Sequence, residues 1–333
     1  MNIGHNDIVL VTGGTGFTGQ VLVRQLCDLG CTVRVIARPS SNIDNLKALP
    51  IQWFRGDVFD ADTVNQAMEG VHYIFHVAAA YREASIADHT YHQVHVESTH
   101  LLANAALQHS HFKRFVHVST VGVLGHIEKP PANEDAPINP GDIYQSTKAE
   151  AEQWIHQFAK ENKLPYTVIR PAAIYGPGDR RLLKVFKMAK LPMIPLLGFG
   201  KCLYHLIHVE DLARCIILAA THENALSNIF ICGNRESVTL KEMIKTIANV
   251  LVKKAIFIRL PVSPFFLIGY LCEFVCKPLG IEPPIYPRRV AFFTKDRSFD
   301  TRRLREQLGF EFQFDNITGI QQTTRWYLNQ GWL

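Results

Sequence analysis

The chain has 333 residues, enough for about two domains or for one large domain with a lobe, and enough core to need no metal or disulfide staple. Hydrophobic residues make up 47% and charged residues 20%, which excludes a disordered, collagenous or coiled-coil chain. The net charge of +5 suits an anionic ligand and is too small to argue for nucleic acid.

Strands and amphipathic stretches alternate through the first half. Ile8–Thr12 reads as a strand, Phe17–Leu29 as a helix and Thr32–Ala37 as a strand. Ile51–Phe54, a short helix around Asp62–Glu69 and strand Tyr73–Ala78 follow. Then come helix Tyr91–Gln108, strand Arg114–Ser119, helix Tyr144–Glu161 and strand Tyr166–Arg170. This rhythm predicts an α/β fold, a Rossmann-type doubly wound parallel sheet, whose ligands bind beyond the carboxyl ends of the strands.

After Pro171 the rhythm breaks into Pro- and Gly-rich turns. Helix Asp211–Ala220, strand Ile229–Cys232, helices Leu240–Val252 and Phe265–Cys276 and a last helix Ile317–Asn329 suggest a smaller mixed lobe. The expected division is a dinucleotide-binding domain over 1–174, with 206–232 returning to it, and a substrate lobe over 175–205 and 233–333. The apolar Phe265–Cys276 stretch is read as a core or pocket-lid helix, with peripheral docking on a membrane as the alternative. It is too short to span, and no 18-residue window is free of charge; the nearest, Pro261–Cys276, holds Glu273. Met1–Asp7 has neither a basic nor a long apolar region, so no signal peptide and a cytoplasmic location are expected. The seven cysteines, odd in number, are read as reduced and mostly buried thiols, and no metal site is expected.

The first strand runs into T-G-G-T-G-F-T-G at Thr12–Gly19 and then a helix. Gly13, Gly16 and Gly19 allow a tight turn, close approach to a pyrophosphate and close helix–strand packing. Thr15 and Phe17 belong to the same loop, and the phosphates would sit on the helix N-terminus. The second strand ends at Arg38, followed by Pro39 and two serines, where an NAD site would place Asp or Glu. A guanidinium and hydroxyls suit a 2′-phosphate, so NADP(H) is favoured, with NAD(H) left open. Asp57 and Val58 close the third strand region, where a carboxylate can accept from an adenine amino group.

Tyr144 and Lys148 stand four apart on one helix face. A phenol with a pKa near 10 is a poor proton donor at pH 7; a cation four residues away stabilises the phenolate. The Y-x-x-x-K spacing alone is cheap, but Thr120 ends the preceding strand at the carboxyl edge, where its hydroxyl can hold a substrate oxygen.

These pieces, with G-D-V at Gly56–Val58, H-V-A-A at His76–Ala79, V-S-T-V-G-V-L-G at Val118–Gly125, R-P-A-A-I-Y-G-P-G at Arg170–Gly178 and I-H-V-E-D-L-A at Ile207–Ala213, resemble the extended short-chain dehydrogenases/reductases over nearly the whole chain. The resemblance implies Tyr144 as acid-base, Lys148 as ribose ligand and tuner of Tyr144, and Thr120 in the Ser/Thr place. It also implies that Ala78 and Ala79 line the cofactor and that Pro171, Ala173 and Ile174 back the nicotinamide. His95 stands where the family usually has Asn, and is read as a packing residue more readily than as a titrating relay.

The C-terminal part resembles the 3β-hydroxysteroid dehydrogenase-like branch, and the Arg38–Asn42 and His76–Ala79 regions resemble dihydroflavonol reductases. Nucleotide-sugar members often carry Arg-Asp where this chain has Tyr204-His205. The expected reaction is therefore interconversion of a secondary alcohol and a ketone on an apolar molecule. A nucleotide-sugar epimerase/dehydratase is the alternative and a cofactor-binding regulator the minor one. The pocket is expected between Tyr81, His95, Tyr175, the Pro192–Phe199 loop and the Pro264–Cys276 helix; a homodimer is expected, and no nucleic-acid partner.

Overall fold

Seven apolar runs pair into a single parallel sheet in the order β11-β6-β5-β4-β1-β2-β3. They are β1 (Ile8–Thr12), β2 (Thr32–Ala37), β3 (Ile51–Arg55), β4 (Tyr73–His76), β5 (Arg114–Val118), β6 (Tyr166–Pro171) and β11 (Ile229–Cys232). The computed structural model describes residues 3–80, 87–276, 278, 281, 283, 284, 290 and 293–333. The central strands are buried on both faces, so they read as continuous apolar runs.

Helices α1 (Phe17–Asp28) and α7 (Val209–Thr221) cover one face, around Val11, Phe75 and Val116. Helices α2 (Ala61–Met68), α4 (Ser98–Leu107) and α5 (Ile143–Asn162) cover the other, around Leu10, Ile74 and Phe115. The chain reverses direction across the sheet between β1 and β4, and such a switch point opens a crevice at the carboxyl edge. α4 continues from a short helix α3 (Asp88–His92) through a π-helical turn, Gln93–Glu97.

Short strands absent from the sequence reading build the second part. β7 (Ala173–Tyr175) pairs in parallel with β10 (Leu206–His208), and β9 (Leu203–Tyr204) pairs with β12 (Val238–Thr239). β8 (Ile194–Leu197) pairs with β13 (Phe257–Leu260). Helix α6 (Leu183–Met188) and α8 (Leu240–Val250) pack beside them, and α8 begins with a Thr239/Glu242 capping box and buries Leu240, Met243, Ile244 and Ile247. The last helix, Asn316–Asn329, also packs on α8. All seven cysteines are free, and Cys31, Cys202, Cys215 and Cys232 are buried.

Helix α9 (Val262–Cys276) departs from expectation. Gly269 is its one buried residue among those described, whereas Leu267 is 63% and Phe274 79% exposed. It is thus not a core helix. No helix among the described residues is long and apolar enough to cross a membrane.

Candidate active site

The glycine loop leaves β1 at Gly13, which adopts φ +69°. A Cβ there would lie 2.7 Å from the Ala78 Cα, so the loop lies against the chain leaving β4. At Gly19 a Cβ would come within 2.1 Å of the Gly13 carbonyl oxygen, which is also the acceptor for the Gly16 N–H. Gly16 caps α1, and neither a capping side chain nor an acidic residue occupies the first turn. The helix therefore presents bare N–H groups and its positive dipole end, the features that a pyrophosphate needs. Thr15 and Phe17 are half-buried along this loop, and Arg181 lies 5.4 Å over the Phe17 ring while donating to the Ile174 carbonyl.

Beyond β2, Arg38 is exposed, and its guanidinium has no hydrogen bond or ion pair among the described residues. Asp57 is half-buried and Val58 buried just past β3. Ala78 is buried and Ala79 exposed past β4, Pro171 ends β6, and Ala173 and Ile174 begin β7. All these positions lie at or just past the carboxyl ends of strands of the main sheet. Tyr81 falls outside the described residues.

Lys148 is fully buried near the start of α5, and its Nζ donates to the Val118 carbonyl at 3.0 Å and the Ala78 carbonyl at 3.3 Å. Burial brings its pKa down to about 8, against a smaller opposing pull from Glu152. An ammonium has three donors, so one remains for a ligand or for Tyr144 one turn earlier. Asp142 caps α5 by accepting from the Gln145 N–H at 2.8 Å, fixing the turn that carries Tyr144. Thr120 is half-buried and accepts from the Gly122 N–H at 3.0 Å, which leaves its hydroxyl hydrogen able to donate. The buried Ser119 hydroxyl beside it has no partner among the described residues. The bare helix end, the glycine cradle, the third lysine donor and this orphaned hydroxyl fit a dinucleotide.

A polar layer that the sequence reading missed lies directly beneath. Thr12, His76 and His117 occupy one row across β1, β4 and β5. The Ala78 N–H donates to Thr12 Oγ1, which lies 2.7 Å from His76 Nδ1, and His76 Nε2 lies 3.2 Å from Ser98 Oγ. Desolvation, then the Lys148 charge, pushes His76 down to about 3, so it is neutral. Neither ring nitrogen of buried His117 has a partner among the described residues. Polar residues at the ends of otherwise apolar strands were the available signal.

His95 sits in the π-helical turn, fully buried. Its Nε2 accepts from the Ala80 N–H at 3.0 Å, so Nδ1 carries the hydrogen toward Thr147 Oγ1 at 2.8 Å. Its ring meets the Tyr144 ring edge to face at 5.3 Å. Both nitrogens are committed, so His95 is a packing residue, not the pocket wall expected of it. Tyr175 is likewise 1% exposed, packed on His208 at 5.4 Å and beneath Gly319, and forms core instead of pocket. His205 is buried between the Phe299 N–H and the Asn234 carbonyl.

A family model described as the NAD dependent epimerase/dehydratase family matches residues 9–233. The chain is 29% identical to the decarboxylating sterol-4-alpha-carboxylate 3-dehydrogenase of Candida albicans, over 96% of this chain and 97% of that one. It is 26% identical to a probable dTDP-glucose 4,6-dehydratase of Sinorhizobium fredii, over 97% and 93%. The crystal structure of gox2253 superposes with a TM-score of 0.82 at 26% identity, covering 98% of this chain and all of that one. With its glycine cradle and the Tyr144/Lys148 helix at one sheet edge, the chain belongs to the NAD dependent epimerase/dehydratase family and is an oxidoreductase of that family.

Proposed function

We propose that the protein interconverts a secondary alcohol and a ketone on a largely apolar substrate, with NADP(H) as the preferred cofactor. The placement of Lys148 carries this reading: a buried ammonium, held by two carbonyls under the carboxyl edge, one helical turn from Tyr144. Gly13, Gly16 and Gly19 hold the pyrophosphate, Arg38 pairs the 2′-phosphate, and Ala78, Ala79, Pro171, Ala173 and Ile174 flank the nicotinamide end. The cofactor supplies or accepts the hydride. Thr120 orients the substrate oxygen, Tyr144 gives or takes its proton, and the Lys148 charge lowers the cost of phenolate. In this reading residues 1–174 and 206–232 serve the cofactor and the remainder the substrate.

The apolar substrate class is supported by Tyr204 and buried His205, whose ring is occupied by backbone partners and offers no cation to a diphosphate. The likeness to a sterol dehydrogenase points the same way. One observation favours the nucleotide-sugar alternative: Arg235, Arg302 and Arg305 line a cleft of about 390 Å³ that also reaches His205. Saturation-transfer NMR on the NADP-loaded protein separates the two. A sterol-like ketone should give signal; binding of a UDP-sugar alone, competed by UDP, would promote the epimerase/dehydratase reading.

A further inference from the structure

Helix α9 inverts the usual pattern of a surface helix. At 100° per residue, Leu267, Ile268, Tyr270, Leu271, Phe274 and Val275 span an outward arc of about 160°, and all are exposed. The opposite side, on which Gly269 is buried, faces the protein. Fifteen residues reach about 22 Å, short of a hydrocarbon core of about 30 Å, so the helix can lie in an interface but cannot cross one.

Its surroundings specify the occupant. The turn before α9 is braced by Gly198, beside Val262, and the neighbouring Phe199 is 63% exposed with the Arg259 guanidinium 5.2 Å above its ring. At the far end of the β8–β13 pair, Lys253 Nζ donates to the Lys190 carbonyl, beside exposed Val252 and Met193. Segments 184–201 and 240–276 together hold nine Lys or Arg against two acidic residues, whereas the whole chain is only +5, so the rest of it is slightly acidic. Apolar side chains facing outward within a cationic lobe match an anionic bilayer, which offers headgroup charge and hydrocarbon together.

We propose that α9 and the Phe199 turn insert into the interface of an anionic membrane, with Lys190, Lys253, Lys254 and Arg259 against the headgroups. This does not rest on the reaction proposed above. The test is co-sedimentation of the full chain, loaded with NADPH, with phosphatidylglycerol-containing and pure phosphatidylcholine vesicles, alongside light scattering for mass. The wild type should pellet with the anionic vesicles, less so at high salt, and weakly with phosphatidylcholine. L267S/L271S/F274S should partition about a hundredfold less or weaker still. K253E/K254E should fall about 25-fold or more, since each basic residue near such a surface is worth about fivefold. Both variants should keep NADPH binding and melting temperature; if the triple variant fails to fold, the charge-reversal variant still decides. Wild type left in the supernatant with anionic vesicles overturns the proposal. So does a triple variant that pellets like wild type, or one whose only change is from dimer to monomer, which would make α9 a face between copies.

Discussion

Burial of Lys148 gives the candidate site its chemistry, because an ammonium under a strand edge is strongly felt by whatever ionises nearby. Replacing Tyr144 by Phe keeps the ring against His95 and deletes the proton. Turnover should fall by about 10² or more while NADPH affinity, read by fluorescence titration, stays within a few-fold. A near-wild-type rate would assign the proton to another group. Arg38 is exposed and has its charge to offer, so Arg38→Ala should weaken NADPH about ten- to a hundredfold and leave NADH nearly unchanged in the same titration. Equal NADPH affinity in variant and parent would remove the basis for the NADP preference. Gly19→Ala would drive a methyl onto the Gly13 carbonyl. It should cost about 1–3 kcal/mol in a denaturant melt and disrupt cofactor binding; an unperturbed variant would mean that the cradle has slack. These positions stand out in the sequence because each is marked locally, by glycine spacing, by the Tyr144/Lys148 spacing or by a charge at a strand end. The roles of His95 and Tyr175 were not, because sequence cannot say whether a polar ring faces a cavity or finds its partners in the fold.

At the level of elements, the row Thr12–His76–His117 makes the β1–β4–β5 edge sensitive to acid. His76 titrates near 6.5 when unfolded and is held down to about 3 by burial; His117 is also pushed down by burial. Below pH about 6.5 the unfolded chain binds more protons, so stability present above that pH is lost as the pH falls toward 3. The slope is about 1.4 kcal/mol per pH unit for each such histidine. His117→Phe removes one titrating group and two unpartnered nitrogens, and should raise the melting temperature or leave it unchanged while flattening that acid slope. Unaltered acid dependence would place the sensitivity elsewhere. The helices and strands of the first half were legible because length and periodicity agree there. β7 to β10, β12 and β13 were not: they have two to four residues, shorter than any periodic pattern, and they exist through their pairing partners. The π-helical turn at Gln93–Glu97 was not legible either, since its five residues continue the helical pattern on both sides; from it His95 reaches Ala80 and Thr147. The apolar run of α9 was legible as a helix but not as an outward-facing one, since hydrophobicity on all sides gives no direction.

For the whole molecule, the strand order brings the glycine loop, Ala78, Thr120, Tyr144, Lys148 and Pro171 from distant parts of the chain to one edge of the sheet. That convergence followed from the alternation of strands and helices, which restricts the connections to a handful. The second part of the molecule was less legible, because it is assembled from turns and from strands of two to four residues. Turnover therefore tests the proposed reaction most directly. Wild type and Tyr144→Phe should be incubated with NADPH and either a sterol-like ketone or a dTDP- or UDP-sugar, following reduced nicotinamide by absorbance and products by mass spectrometry. NADPH should be oxidised stoichiometrically with the apolar ketone, dependent on Tyr144, with no reaction of the sugar nucleotides. Conversion of a sugar nucleotide without net cofactor consumption, with the apolar ketone untouched, would contradict the proposed reaction.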